Sequence, residues 1–277
     1  MVNFHTDQAE GLRRMLGGPK HRVFTFLSAT PAEDKGAMLV NLGVSLLQSG
    51  SNVLLVDGCH TARGIAAGIE SLRGKSLLHA ARRECGVDDA ICQMPQGFGV
   101  AALLPDGGGR PDAAMMPKLA GVFETLTTRA DIVVVDAELG DDNSFPLPTL
   151  ASSEIVVQVS TAPESITQAY TLIKRASIHL GKRPYGVVVT GASDSEAQVV
   201  YKNMSQAANR YLSVKLNFLG SVPADEHLTR AARLGRAVVE AFPLAGASVA
   251  IRRLTERFTP AEPVMEEFHG ISSTNPY

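Results

Sequence analysis

The chain has 277 residues, of which 26 are basic and 28 acidic, so its formal net charge is −2, and 45% of its residues are hydrophobic. A chain of this length and apolar content can bury roughly three-quarters of its unfolded surface in one core. This composition excludes disorder, collagen and coiled coil as descriptions of the whole chain. The near-neutral charge also argues against a nucleic-acid footprint over the whole surface.

The sequence shows no pattern typical of membrane insertion, of secretion or of disulfide bonding. The uncharged apolar runs are far shorter than the roughly 20 residues that span a bilayer, and the first residues carry no secretion signal. Cys59, Cys85 and Cys92 fit neither a disulfide framework nor a metal-binding spacing. We therefore expect a cytoplasmic protein with reduced cysteines.

The first 20 residues indicate a short, separate helix. Asp7 can cap its start, Glu10 can complete the reciprocal cap, and a Gly-Gly-Pro run from residue 17 ends it. Its apolar face consists of Ala9, Leu12 and Leu16. Because about ten helical residues are marginally stable alone, the helix must either pack on its own sheet or bind a partner, and spacing leaves both open.

Residues 21–258 show alternating β and α patterns, typical of a doubly wound, mostly parallel sheet of about seven strands in a single α/β domain. The predicted strands are 22–28, 52–57, 98–104, 131–136, 154–160, 185–190 and 214–220. The predicted helices are 36–49, 112–127, 164–180, 194–211 and 247–258. The tail, 259–277, carries three prolines and no sustained period, so we expect it to be poorly ordered.

The start of this domain has the layout of a phosphate-binding turn. The first strand is followed by a predicted loop, 29–36, and an amphipathic helix, while later strands end in Asp57 and Asp136. Carboxylates at the carboxyl ends of neighbouring parallel strands can face the crevice where such sheets bind ligands. With a magnesium nucleotide, Asp57 and Asp136 would hold the metal through its waters.

At these residues the chain resembles the MinD/ParA family of deviant-Walker ATPases, which have a P-loop NTPase fold, and within it the flagellar-number regulators of the FlhG or FleN type. The resemblance covers about residues 6–258. The motifs that carry it are D-Q-A-E-G-L-R from Asp7, Asp57, Asp136 with Gly140, T-A-P-E-S-I-T-Q-A-Y from Thr161, S-V-P-A-D from Ser221 and R-A-V-V-E from Arg236.

The phosphate loop departs from the family pattern K-G-G-x-G-K-[ST]. Aligned through Val40, Asn41 and Leu42, residues 30–36 read T-P-A-E-D-K-G, so only the second lysine, Lys35, remains. The three loop glycines, which let backbone N–H groups approach phosphate, are absent, and Asp34 stands in place of one of them. We therefore expect ATP or ADP with magnesium to bind weakly if at all.

Other family positions are divided between retained and replaced residues. The resemblance implies that Lys35, Asn41, Asp57, Asp136, Gly140, Pro223 and Asp225 are remnants of a nucleotide site. It implies that four further positions have lost their roles: Thr30 (the lysine that crosses the dimer interface), Gly36 (the magnesium hydroxyl), Cys59 (the water-positioning aspartate) and Thr190 (the adenine-side asparagine).

The resemblance implies a regulator of flagellar number and placement that acts through protein contacts, with ATP turnover lost or nearly lost. In the family, the N-terminal helix stimulates FlhF, a signal-recognition-type GTPase. The residues that match this role are Asp7, Gln8, Ala9, Leu12 and Arg13. Further partners would be flagellar basal-body proteins or transcription regulators.

Two alternatives stay open. One is a working ATPase switch in which Lys35, Asp57 and Asp136 suffice for a slow cycle. The other is a DNA-binding partition or transcriptional accessory protein, with Arg252, Arg253 and Arg257 meeting phosphate. We expect neither nucleic-acid binding nor stable membrane association, because Glu256 interrupts the basic face and the tail is acidic and aperiodic.

Overall fold

The computed structural model of the chain describes residues 21–59, 64–65, 75–105 and 111–259. The predicted N-terminal helix and most of the predicted tail lie outside these ranges. In the described part, eight strands form one sheet. They are β1 Arg22–Ser28, β2 Val53–Gly58, β3 Ile91–Gln93, β4 Gly99–Ala102, β5 Ile132–Ala137, β6 Glu154–Ser160, β7 Tyr185–Thr190 and β8 Leu216–Val222.

The strand order is β3-β4-β2-β5-β1-β6-β7-β8, and every neighbouring pair is parallel except β3 with β4. This topology confirms the predicted α/β fold and the mostly parallel sheet. Strand β3 was not predicted, because a three-residue edge strand is too short to show an alternating pattern. The last strand, Leu216–Val222, lies two residues later than the predicted 214–220.

Helices cover both faces of this sheet. They are α1 Ala32–Gln48, α2 Leu77–Ala81, α3 Met116–Thr127, α4 Pro163–Leu180, α5 Asp194–Leu212, α6 Glu226–Arg233, α7 Val238–Ala241 and α8 Gly246–Thr255. Short 3₁₀ turns occur at Asp88–Ala90 and Pro148–Ser152. The long helices agree with the predicted ones, whereas α2, α6 and α7 were not predicted because they are too short for a helical period to stand out.

Two apolar clusters pack against opposite faces of the sheet. Helices α3, α4 and α5 contribute to the cluster that includes Val133 and Val135 of β5. Helices α1, α7 and α8 contribute to the other cluster, which includes Ile132 and Val134 of the same strand. Because successive side chains of a strand point to opposite faces, β5 is buried on both sides, as the predicted doubly wound sheet requires.

The last residues of the described chain pack against the first strand, β1. Phe258 is fully buried, and its ring centroid lies 4.6 Å from that of Phe24 and 5.9 Å from that of Phe26. Nη1 of Arg22 donates to the carbonyl of Phe258 at 2.8 Å. Within the described ranges, every helix is too short or too polar to span a bilayer.

Candidate functional site

Three of the residues that the sequence analysis singled out at strand ends and on the first helix meet at one point. Asp57 and Asp136 are the second-last residues of β2 and β5, and the two are paired in the register of these parallel strands. Lys35 reaches them from the first turns of α1, and its Nζ lies 2.8 Å from Oδ1 of Asp136. The same Nζ lies 3.3 Å from Sγ of Cys59. We call Lys35, Asp57, Cys59 and Asp136 the Lys35 cluster.

The Lys35 cluster is largely shielded from water. Lys35 is 4% exposed, Asp136 0% and Asp57 8%. Burial on its own lowers the pKa of Lys35, but the charges and hydrogen bonds of Asp136 and Cys59 outweigh it and hold that pKa above the usual lysine value. Burial raises the pKa of Asp136 to about 6, against the opposing charge of Lys35. The 2.8 Å contact between Nζ and Oδ1 is that of an ammonium with a carboxylate.

The thiol of the cluster stays protonated. Burial, followed by the charge of Asp136, raises the pKa of Cys59 far above its ordinary value. Its backbone N–H donates to Oδ1 of Asp57 at 2.9 Å. The residue therefore fills a position beside two carboxylates as a neutral thiol, and a thiolate nucleophile is not favoured there.

A short backbone segment that the sequence analysis did not single out completes the cluster. The N–H of Ile65 donates to Oδ2 of Asp136 at 3.2 Å. A Cβ added to Gly64 would lie 2.0 Å from both carboxylate oxygens of Asp57, so a larger residue there would have to displace that carboxylate. No spacing pattern relates residues 64 and 65 to the strand ends, because a tertiary contact brings them together.

The turn between β1 and α1 differs from the predicted phosphate loop. Helix α1 begins at Ala32, four residues before the predicted start at residue 36, so only Ala29, Thr30 and Pro31 separate strand and helix. The N–H of Lys35 donates to the carbonyl of Pro31 at 3.0 Å. Because no glycine lies between Ser28 and Gly36, residues 32–36 take helical geometry instead of wrapping a ligand, and the acidic Glu33 and Asp34 suit a first helical turn.

The positions expected to have lost their family roles have ordinary local contacts. The hydroxyl of Thr30 lies 2.8 Å from that of Ser28. Gly36 is inside α1 with open space around its Cα, since an added Cβ would meet nothing within 4 Å. The hydroxyl of Thr190 is 3.4 Å from Nε2 of the buried Gln158.

A cavity of about 560 Å³ opens beside the β1–α1 turn. It lies at the carboxyl ends of β1, β5 and β6 and reaches the amino end of α4. Its polar lining comprises Lys35, the hydroxyls of Ser28, Thr30, Ser160 and Ser165, the amide of Gln168 and the carboxylates of Glu138 and Glu164. Lys35 is paired with Asp136, and two carboxylates, those of Glu138 and Glu164, lie in the lining with it.

The remaining predicted nucleotide residues hold neighbouring helices together. Oδ1 of Asn41 accepts from the N–H of Val238 at the start of α7, at 2.7 Å. Asp225 caps α6 by accepting from the N–H of His227 at 2.9 Å and also accepts from the N–H of Ala247 in α8 at 3.0 Å. These hydrogen bonds lower the pKa of Asp225 to about 2. Pro223 precedes this cap, in the turn between β8 and α6.

Gly140 lies in a loop that α4 clamps. The guanidinium of Arg175 donates to the carbonyl of Gly140 and to Oδ1 of Asn143, both at 2.5 Å. The N–H of Asn143 donates back to the carbonyl of Gly140 at 2.8 Å, which closes the turn. No sequence pattern singles out Arg175, since one half-buried arginine in a helix carries no motif.

The residues described here do not fit a magnesium nucleotide in the way the family motif would hold one. The cation in contact with Asp136 is the ammonium of Lys35. A phosphate at the start of α1 would meet Glu33 and Asp34 in the first turn, and Pro31 has no N–H to offer it. Phosphate and these carboxylates compete for the same helix end.

No family model matches the chain. The chain is 27% identical to the antiactivator FleN of Pseudomonas aeruginosa over 224 residues, which cover 79% of each chain. It is 24% identical to the flagellum site-determining protein YlxH of Helicobacter pylori over 208 residues, which cover 72% of this chain and 68% of that protein.

Solved structures share the same fold. A chain of the MinC:MinD cell division complex of Aquifex aeolicus superposes with a TM-score of 0.61 at 19% identity, covering 87% of this chain and 98% of that one. MinD of Pyrococcus horikoshii complexed with Mg-ADP superposes with a TM-score of 0.60 at 19% identity, covering 85% and 95%.

Proposed function

Because this chain is a homologue of FleN and YlxH with the fold of the MinD and ParA ATPases, we propose that it regulates flagellar number or placement through protein contacts and has lost, or nearly lost, ATP turnover. The names of the two relatives, an antiactivator and a flagellum site-determining protein, support the flagellar part of this proposal. The geometry of the Lys35 cluster supports the loss of turnover.

One observation carries the second part: the buried 2.8 Å ion pair between Lys35 and Asp136. In a nucleotide site a lysine at this position would extend to phosphate, and a carboxylate at the strand end would face a metal. Here the two groups neutralise each other, and the turn that would wrap phosphate is only three residues long. Positioning and charge stabilisation, which provide most of the catalysis in phosphoryl transfer, are therefore both weakened.

The partner in this proposal is an FlhF-type signal-recognition GTPase, contacted by the segment from Asp7 to Arg13. The family resemblance supports it: Gln8 would point to the partner's nucleotide site, Leu12 would anchor the helix and Arg13 would pair with acidic groups. These residues lie outside the described ranges, so the proposal rests on their sequence pattern.

GTP hydrolysis by the cognate FlhF-type GTPase tests the partner role. Full-length protein and a peptide of residues 1–20 should both stimulate it, the peptide at higher concentration. Gln8→Ala should reduce stimulation while the thermal melting curve stays unchanged, and Asn3→Ala, outside the motif, should stimulate like the parent. If neither protein nor peptide stimulates, and Leu12→Ala costs about 2–5 kcal/mol of stability as a core leucine does, the helix belongs to the core and the partner role is wrong.

A working ATPase switch is the second candidate, favoured by the convergence of Lys35, Asp57 and Asp136 beside a 560 Å³ cavity and by the Mg-ADP complex of a protein with the same fold. We expect ATP hydrolysis at background rate. Gly36→Ser should fold normally, because its added atoms meet open space, and should still be inactive. Magnesium-dependent turnover that Lys35→Ala abolishes would establish the switch instead.

A further inference from the structure

The Lys35 cluster contains the ligand set of a divalent cation together with an ammonium. One oxygen each from Asp57 and Asp136 and Sγ of Cys59 lie within 4.8 Å of one another. Nζ of Lys35 contacts two of these three residues, at 2.8 Å from Asp136 and 3.3 Å from Cys59. The backbone N–H groups of Cys59 and Ile65 hold the carboxylates of Asp57 and Asp136 in place.

We infer that Lys35 is the built-in cation of this site, and that without its ammonium the site binds one thiophilic divalent cation, such as Zn²⁺ or Cd²⁺, through Asp57, Cys59 and Asp136. The inference rests on the absence of nucleotide turnover in the proposed function and is independent of the flagellar role. The metal class follows from the ligands: Mg²⁺ prefers oxygen ligands in an octahedron, whereas a thiolate with two carboxylates suits zinc-like ions.

Lys35 excludes such an ion from the native protein. A divalent cation bound at Cys59 and Asp136 would lie within a few ångströms of the ammonium, and two like charges at that separation repel strongly in a site shielded from water. The ion would also have to displace the thiol proton to solvent. Because Lys35 is covalently attached, it cannot dissociate as a bound ion or nucleotide can.

The charge balance at Asp136 does not depend on a bound metal or nucleotide. In a nucleotide switch, the charges at the ends of β2 and β5 change when the metal and nucleotide bind or leave. Here the ammonium of Lys35 provides the counter-charge of Asp136 permanently. The charge at this site should therefore stay the same whether or not Mg-ATP is present.

Cadmium titration of the full-length chain tests the inference. Cys85→Ser and Cys92→Ser form the background, so that Cys59 is the remaining thiol, and the thiolate-to-cadmium charge-transfer absorption reports binding. In this background Lys35→Met should bind one Cd²⁺ per chain at least about 30-fold more tightly than the lysine form, because the repelling charge is gone. Lys35→Met with Cys59→Ser should lose the absorption, and millimolar Mg²⁺ should not compete.

Thermal melting covers the case in which Lys35→Met is poorly folded. Zn²⁺ should raise its melting temperature, since the ion replaces the lost positive charge, and should leave the lysine form and the Lys35→Met, Cys59→Ser form unchanged. Equal cadmium affinity with and without Lys35 would overturn the inference. So would a Lys35→Met protein that neither binds Cd²⁺ nor is stabilised by Zn²⁺. Neither assay measures ATP hydrolysis or GTPase stimulation. A negative result here therefore contradicts the metal-site inference and leaves the proposed function to its own tests.

Discussion

Nζ of Lys35 lies 2.8 Å from Oδ1 of Asp136, and both side chains are almost completely buried. The pair joins the start of α1 to the end of β5, next to the central strand β1. A buried pair of this kind is costly to break on one side only, because the remaining charge has no partner and no water. Lys35 therefore belongs to the folded core of this protein as well as to its candidate site.

Removing the ammonium should strongly destabilise the protein. We expect Lys35→Met to lower the free energy of unfolding by about 3–5 kcal/mol, the usual cost of leaving one buried charge unpaired. Urea denaturation at neutral pH without divalent cations measures it. Lys118→Met, at an exposed position of α3, is the matched control and should change stability by less than about 0.5 kcal/mol. Equal effects of the two substitutions would mean that the pair is not formed in solution.

Two glycines should respond in opposite ways to alanine. Gly64→Ala adds a Cβ 2.0 Å from both oxygens of Asp57, so it should destabilise the protein by about 1–3 kcal/mol through overpacking. Gly121→Ala adds a Cβ with nothing within 4 Å, inside α3, and should stabilise the protein by about 0.5–1 kcal/mol. Thermal or urea unfolding compares them, and a harmless Gly64→Ala would contradict the placement of that segment against Asp57.

Arg175 should control the loop that contains Gly140. Arg175→Ala removes the donors to the carbonyl of Gly140 and to Oδ1 of Asn143. We expect amide hydrogen exchange in residues 140–144 to become about tenfold faster, corresponding to a loss of about 1.4 kcal/mol of local stability. Lys174→Ala, the exposed neighbour on the same helix, should leave exchange in this loop unchanged. If amide hydrogens of this loop exchange at the parental rate in both variants, Arg175 does not stabilise the loop.

Asp225 should contribute to stability in acid. Its pKa is lowered from 3.8 to about 2 by hydrogen bonds from Ala247 and His227, so the folded state binds a proton less readily than the unfolded state. The contribution is therefore fully present above about pH 4 and is lost as the pH falls towards 2. Acid unfolding should show a smaller pH dependence in Asp225→Asn between pH 4 and 2, while Asp141→Asn, at an exposed loop position, should follow the parent.

Local residue patterns in the sequence predict most of the long strands and helices of this fold. The β-branched runs at 22–28, 154–160 and 185–190 were predicted at the bounds the strands have, because strands buried on both faces are continuous apolar segments. The long helices α4 and α5 follow from their apolar periods, and Ser193 with Glu196 forms a complete capping box. The edge strand β3 and the helices α2, α6 and α7 have too few residues for such a period.

The sequence by itself determined the α/β class, the carboxylates at the ends of β2 and β5, and the absence of a glycine-rich phosphate loop, since these depend on residue type and spacing along the chain. Only the tertiary structure decided that α1 begins at Ala32, that Lys35 turns to Asp136 and Cys59, and that Gly64 and Ile65 close against both carboxylates. A lysine side chain is long enough to extend outward to a bound anion or inward to a carboxylate. Which orientation it takes depends on the charged groups and the solvent exposure around it in the folded protein, and these are set by tertiary contacts.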